Sequence, residues 1–187
     1  HGIEFTISSK NIQSKNFSWN TDFIFSKAKN EVTKLNARSS VMDLVSGYGF
    51  ARQGYPVRGL FSIPFVGLSS NGIPMYNING KITSTDIDFQ TRDNIDYLKY
   101  EGPTDPTITG SFGNIFTYKA FKLNVFITYS FGNVVRLNPC FNYQYSDLSS
   151  MPREFKNRWT VPGDEKHTNI PAIISKRQYE DNKDLMY

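Results

Sequence analysis

The sequence is poor in the residues from which most reactive sites are built. Cys140 is its only cysteine, which excludes a disulfide framework and a thiolate metal cluster; between Pro139 and Phe141 it reads as a packing residue. There are two histidines, His1 and His167. His167 stands beside Asp164 and Glu165 but reads as a surface histidine rather than a metal ligand or an acid–base group. No serine occupies a nucleophile elbow, no carboxylate pair has an interpretable spacing for glycoside hydrolysis, and no glycine run makes a phosphate cradle. An enzyme is therefore not expected, nor any cofactor or metal. The Lys and Arg residues, with a net charge of +4, are scattered through turns, without the basic stripe that nucleic-acid binding needs. No apolar run approaches the roughly 20 residues of a membrane helix, and mean hydropathy is -0.45. The opening HGIEFTIS has no basic n-region followed by an apolar h-region. It reads as mid-strand, so an internal piece of a longer polypeptide is the expectation.

Strand alternation is present instead, over unusual lengths. In the stretch from Thr107 to Asn138, Ile108, Gly110, Phe112, Asn114, Phe116 and Tyr118 share one parity. After a short break at Tyr118-Lys119-Ala120, Phe121, Leu123, Val125, Ile127, Tyr129 and Phe131 alternate with Lys122, Asn124, Phe126, Thr128 and Ser130. Residues Gly2 to Ile12 and Phe17 to Ser26 repeat this build around the turn Gln13-Ser14-Lys15-Asn16. Each run has one oily and one mostly polar face. Runs of about 11 residues approach the roughly 9–11 that a tilted strand needs to cross a bilayer, whereas soluble strands centre on about 5–6. Glu4 and Asp22 fall on the polar parity, comfortable against water and costly against lipid. Alternation alone leaves two architectures open, a transmembrane barrel wall and a soluble sandwich with long strands.

The rest is loop-like. From Glu31 to Pro106 the chain is far longer than an ordinary connection of about 4–6 residues. It reads as a large folded loop. Gly54–Val57 and Gly59–Ile63 suggest a short strand, Asn71-Gly72 and Asn79-Gly80 suggest two-residue hairpin turns, and Pro103 and Pro106 stop any ladder. The second hairpin's strand is expected to run on through Asn30 and Val32. Residues Pro139 to Tyr187 form a second polar segment, with a short helix or turn at Arg153–Trp159 and turn chemistry at Pro162-Gly163-Asp164. The expected division is therefore two strand hairpins, about 2–30 and 107–138, with loops at about 31–106 and 139–187. Short turns at one end and long loops at the other is the asymmetry of outer-membrane barrels.

Ordered motifs sharpen this reading. Gly2-Ile3-Glu4-Phe5, Val32-Thr33-Lys34-Leu35, Gly54-Tyr55-Pro56-Val57, Gly67-Leu68 with Asn71-Gly72, and Gly102-Pro103-Thr104-Asp105-Pro106 come first. Gly110-Ser111-Phe112-Gly113-Asn114, Thr117-Tyr118-Lys119, Phe131-Gly132-Asn133, Arg158-Trp159-Thr160, Pro162-Gly163-Asp164 and Ile170-Pro171 follow. In this order they resemble the C-terminal barrel part of SusC/RagA-type TonB-linked outer-membrane proteins, over essentially the whole chain. The resemblance implies an all-β fold: a partial transmembrane antiparallel β-barrel of about four long strands, cut from a barrel of about 22 strands. It implies the Gram-negative outer membrane, where the chain would form wall and extracellular loops of a TonB-dependent importer of oligosaccharides or peptides. The implied partners are the rest of the barrel and its plug, a SusD-like surface lipoprotein, TonB through the missing N-terminal part, outer-membrane lipid and the substrate. The plug and the remaining strands have no counterpart in these residues.

Candidate ligand or lid contacts are the loop aromatics Tyr97, Tyr100, Tyr143, Tyr145 and Trp159, whose rings suit sugar faces but equally suit loop packing. The acidic run Asp86, Asp88, Asp93, Asp96 lacks the glycine and spacing of a calcium loop and reads as solvated. Two rival functions stay in view. A soluble carbohydrate-binding β-sandwich would bind sugar unaided, and a passive porin-like wall would conduct without energy coupling.

Overall fold

The computed structural model describes residues 1–84, 87–137 and 150–173. In chain order its elements are β1 (Gly2–Gln13), β2 (Phe17–Ala28), α1 (Val41–Val45), β3 (Gly59–Ser62), β4 (Phe65–Leu68) and β5 (Pro74–Ile78), followed by β6 (Lys81–Thr83), β7 (Lys99–Pro103), β8 (Ile108–Tyr118) and β9 (Phe121–Phe131). Short 3-10 turns follow at Arg153–Asn157 and Asp164–Lys166. The chain divides into two compact units. One holds residues 1–36, 51–59 and 102–134, the other residues 37–50, 60–101 and 135–187.

The first unit is a single antiparallel sheet in the order β1-β2-β8-β9. Its register confirms the parities read from sequence: Phe5 stands opposite Phe25, Phe23 opposite Phe112, and Phe112 opposite Ile127. Opposite partners share a face, so one side carries Ile3, Phe5, Ile7, Trp19, Phe23, Phe116, Leu123, Val125 and Ile127. The other side carries Glu4, Ser8, Asp22, Ser26, Ser111, Asn124 and Thr128. Its carboxylates are engaged across strands, Ser8 Oγ donating to Asp22 at 2.7 Å and Ser26 Oγ to Glu4 at 3.1 Å. The apolar side stays largely open, with Leu123 60% and Ile127 56% exposed. A soluble sandwich would cover such a face with a second sheet, and the first unit contains none. What stands here is a partial barrel wall.

Two aromatic belts bound the apolar side. Trp19 stacks on Phe116 at 5.7 Å near the tight turns, with Phe17, Tyr118 and Phe121 beside them. Towards the other end Phe5 stacks on Phe25 at 5.1 Å, Phe23 on Tyr129 at 6.5 Å, and Tyr129 on Phe131 at 5.8 Å. From Phe17 to Phe25 the strand climbs about 27 Å, which at a barrel tilt of about 35–45° is a rise of about 19–22 Å between the belts. Tyr129 can lie flat across β8 because residue 110 is glycine, and its hydroxyl donates to Ile24 O at 3.0 Å. The break read at Tyr118-Lys119-Ala120 narrows to the two-residue turn Lys119-Ala120, Tyr118 pairing with Phe121 and Lys119 at φ 52°. Its amide donates to Asn16 O at 2.9 Å, tying the two tight turns together.

The second unit holds the buried core: Val41, Leu44, Val45, Leu60, Phe61, Ile63, Ile87, Phe89, Leu98, Phe155 and Ala172. It contains the sheet β4-β5-β6 and the β3–β7 pair. The helix α1 was not legible by periodicity. It starts on a capping box in which Ser40 Oγ accepts from the Asp43 amide at 3.3 Å and the Asp43 carboxylate accepts from the Ser40 amide at 2.9 Å.

Three local readings change. β2 ends at Ala28 rather than running through Asn30 and Val32: Lys29 still exchanges bonds with His1 in the β1 register, but beyond it the Val32 amide turns to Tyr55 O and leaves the ladder. Gly54–Val57 is a turn and only Gly59–Ser62 is strand. Asn79-Gly80 is the expected two-residue turn, both residues at positive φ. Asn71-Gly72 is not: only Gly72 has positive φ, in a longer connection closed by Gly72 N donating to Ser69 O.

Candidate functional site

The described candidate aromatics do not form one platform of open rings. Tyr100 belongs to β7 and packs on Phe61, which is fully buried, with centroids 5.3 Å apart. Tyr97 is half-buried in the turn before β7, and burial, with the nearby Asp88, raises its phenol above the ordinary value. Trp159 is half-buried, lies directly over Gly72, and donates from Nε1 to Glu165 at 3.2 Å. Tyr143 and Tyr145 lie outside the described residues, as do Cys140 and Asp86.

Trp159 opens a loop organised by two carboxylates. Asp164 accepts from the Thr160 amide and hydroxyl, both at 2.9 Å, and from the Val161 amide at 3.1 Å. Those bonds, the Thr160 amide first, hold its carboxyl below the usual range, with His167 contributing least. Glu165 accepts from the Gly163 amide at 2.7 Å as well as from Trp159. These acids staple a turn. Within the acidic run, Asp88 accepts from the Gln90 amide and Asp93 pairs with Arg38. No group of three metal-ligating side chains occurs among the described residues.

The second unit does contain a cleft of about 650 Å³ that the sequence did not announce. Ile63, Pro64, Phe65 and Pro74 give it an apolar floor, with Tyr76 and Pro171 beside them. Tyr76 meets Phe65 at 63° with centroids 5.9 Å apart, and burial raises its phenol above the ordinary value. Ser62, Lys99, Glu101 and Arg136 bring charge to the same cleft. Lys99 and Glu101 are two residues apart on β7 and so share a face. Their ion pair is 3.1 Å long, and Ser62 Oγ donates to Glu101 at 2.5 Å. The Ser62 bond, followed by Lys99 and Arg136, holds the Glu101 carboxyl below its ordinary range, so it is ionised at neutral pH. Arg136 is anchored where it donates to Phe61 O at 2.9 Å. The cleft residues lie far apart in sequence. Only the Lys99/Glu101 spacing carried a local signal.

Known proteins point one way. No family model matches the chain. It is 26% identical over 206 residues to TonB-dependent receptor P3 of Formosa agariphila, an alignment covering 94% of this chain and 19% of the receptor. The solved structure of the RagAB peptide transporter matches with TM-score 0.62 and 20% identity, over 91% of this chain and 19% of that one. The RagAB peptide importer in its closed-closed state gives the same TM-score over 92% of this chain. The chain thus spans about a fifth of the length of these relatives. At such identity the structures establish the fold alone, a partial antiparallel β-barrel, and the resemblance to SusC/RagA-type proteins read from motif order is borne out. The relatives are named for reception and transport, not for a reaction.

Proposed function

We propose that these residues form wall and extracellular loops of a TonB-dependent outer-membrane importer of oligosaccharides or peptides. It works beside a SusD-like surface lipoprotein, with a plug and TonB contact supplied by other parts of the polypeptide. The observation that carries this reading is the two-faced sheet, whose four long strands have one apolar and one polar side, as a wall between lipid and a water-filled lumen requires. The curated receptor and the transporter folds support it. A passive porin would use the same wall, so energy coupling separates the two.

Two tests follow. Full-length protein with its lipoprotein should take up nutrient in cells with an intact energised TonB system and lose uptake when TonB is deleted; uptake that survives the deletion supports the porin instead. Facing is tested by neighbouring substitutions on β9. Ile127→Arg lies near the strand centre on the apolar side and should cost about 2–4 kcal/mol, read as a lower urea midpoint of the folded barrel. Thr128→Arg, one residue on and facing the lumen, should cost far less. Equal losses would refute the assignment of lipid and lumen sides.

A further inference from the structure

The cleft of the second unit combines features that the wall does not explain. Its charged part holds two cations against one carboxylate, and Glu101 is already engaged by Ser62 and Lys99. An excess positive charge remains for a ligand. Arg136 is held to the backbone of the buried strand β3, so its guanidinium is oriented without a ligand present, and such forks suit carboxylates. Beside it run strand edges: among the described residues β4 pairs only with β5, and β3 only with β7. Those edges can accept an extended chain by backbone pairing. The apolar floor is built from Ile63, Pro64, Phe65 and Pro74, and its two rings meet edge to face, Tyr76 half-buried against Phe65 at 63°, rather than offering parallel aromatic faces. Such a surface favours a peptide with alternating side chains over a stacked sugar ring.

We propose that this cleft is a binding site for acidic peptides, taking a side-chain carboxylate on Arg136 and Lys99 and an extended backbone along the outer edge of β4 from Phe65 onward. This deepens, and rests on, the import reading, because it names the substrate class that the loop unit meets. Glu101 acts as a selectivity element: it binds Lys99 in the empty cleft and repels a second carboxylate placed too deep.

The test uses full-length receptor with its lipoprotein and three short end-blocked peptides differing only in a central Glu, Gln or Lys, with a linear oligogalacturonate as a fourth probe. The Glu peptide should bind about tenfold more tightly than the Gln peptide, and more tightly still than the Lys peptide. The Lys99→Gln/Arg136→Gln double variant should abolish that preference. Glu101→Gln should tighten Glu-peptide binding several-fold, a gain that damage to folding cannot imitate. No preference in the wild-type receptor, or an unchanged one in the double variant, would overturn the site. Binding of oligogalacturonate with indifference to the peptides would overturn its assignment to peptides. Energy-coupled uptake without Glu-peptide selectivity defeats the cleft alone, whereas Glu-peptide selectivity without energy-coupled uptake defeats the import reading and leaves the cleft standing.

Discussion

At Gly72 the backbone takes φ +73°, and a Cβ built there would stand 2.6 Å from Trp159 Cδ2 and 2.8 Å from the Ala172 Cβ. Gly72 O also accepts from the Ala172 amide at 3.0 Å. The glycine is required twice, for its left-handed conformation and for the ring it lets in. Gly72→Ala should therefore cost about 1–3 kcal/mol and expose the 159–172 segment. Protease nicking within that segment, with the rest of the chain intact, is the readout; an unchanged cleavage rate would show that Trp159 is not seated on Gly72. Asp43 offers a titratable counterpart. Its capping bonds with Ser40, the backbone bond first, hold its carboxyl below the ordinary 3.8. A lowered folded value means the stabilisation is complete above pH 3.8 and fades as pH falls through the folded value. Asp43→Asn should loosen α1 by about 0.5–1 kcal/mol at neutral pH, towards the low end because the group is only half-buried and water still screens it. Amide exchange in α1 should differ between the two proteins at pH 7 and converge under acid. A difference that persisted at low pH would count against the capping charge.

Among the strands, β2 and β8 carry a polar interruption in the middle of the apolar side. Thr21 and Asn114 face each other, and Asn114 Oδ1 accepts from Thr21 Oγ1 at 2.8 Å and from Trp19 Nε1 at 2.9 Å. Asn11, at the bulge of β1, donates from Nδ2 to Thr21 at 2.6 Å and accepts from Ser9 at 2.9 Å. Asn114 is only 8% exposed. Against lipid such groups are tolerated when they satisfy one another, so this cluster ties three strands at one level of the wall. Asn114→Leu strands the Trp19 and Thr21 donors and should cost about 1–3 kcal/mol, seen as a lower urea midpoint. The leucine fits the apolar pattern, so an unchanged or raised midpoint would show that the cluster adds nothing. Sequence patterning made the long strands legible because period-two alternation over eleven residues leaves little ambiguity, and its break at Tyr118-Lys119-Ala120 located the turn to within a residue. It did not foresee the register that brings Asn11, Thr21 and Asn114 together, since pairing is non-local. The loop unit was opaque for a related reason: α1 is five residues long, too short for periodicity, and only the Ser40/Asp43 spacing marked it. The cleft draws on residues 62–65, 74, 76, 99, 101, 136, 169 and 171, which only the fold assembles.

Across the molecule the two units differ in what holds them. The second has a buried core, while the first has a sheet with β1 and β9 as outer strands. Those outer strands are twelve and eleven residues long, and each presents a row of unpaired backbone groups. In water such edges recruit other chains; in hydrocarbon each unmet amide or carbonyl costs several kcal/mol. Neither solvent suits the sheet by itself. Closure with further strands, as the proposed barrel supplies, would satisfy both edges and turn the apolar side into a continuous lipid-facing band. The 187-residue stretch expressed alone and offered to lipid vesicles should therefore yield aggregate or edge-paired oligomers, whereas the same residues within a complete barrel should give a heat-modifiable, protease-resistant species. Electrophoresis without boiling, beside a trypsin challenge, distinguishes the outcomes. A folded, monomeric, membrane-inserted product from the stretch alone would show that its edges are satisfied internally, and the barrel-wall reading would have to be abandoned.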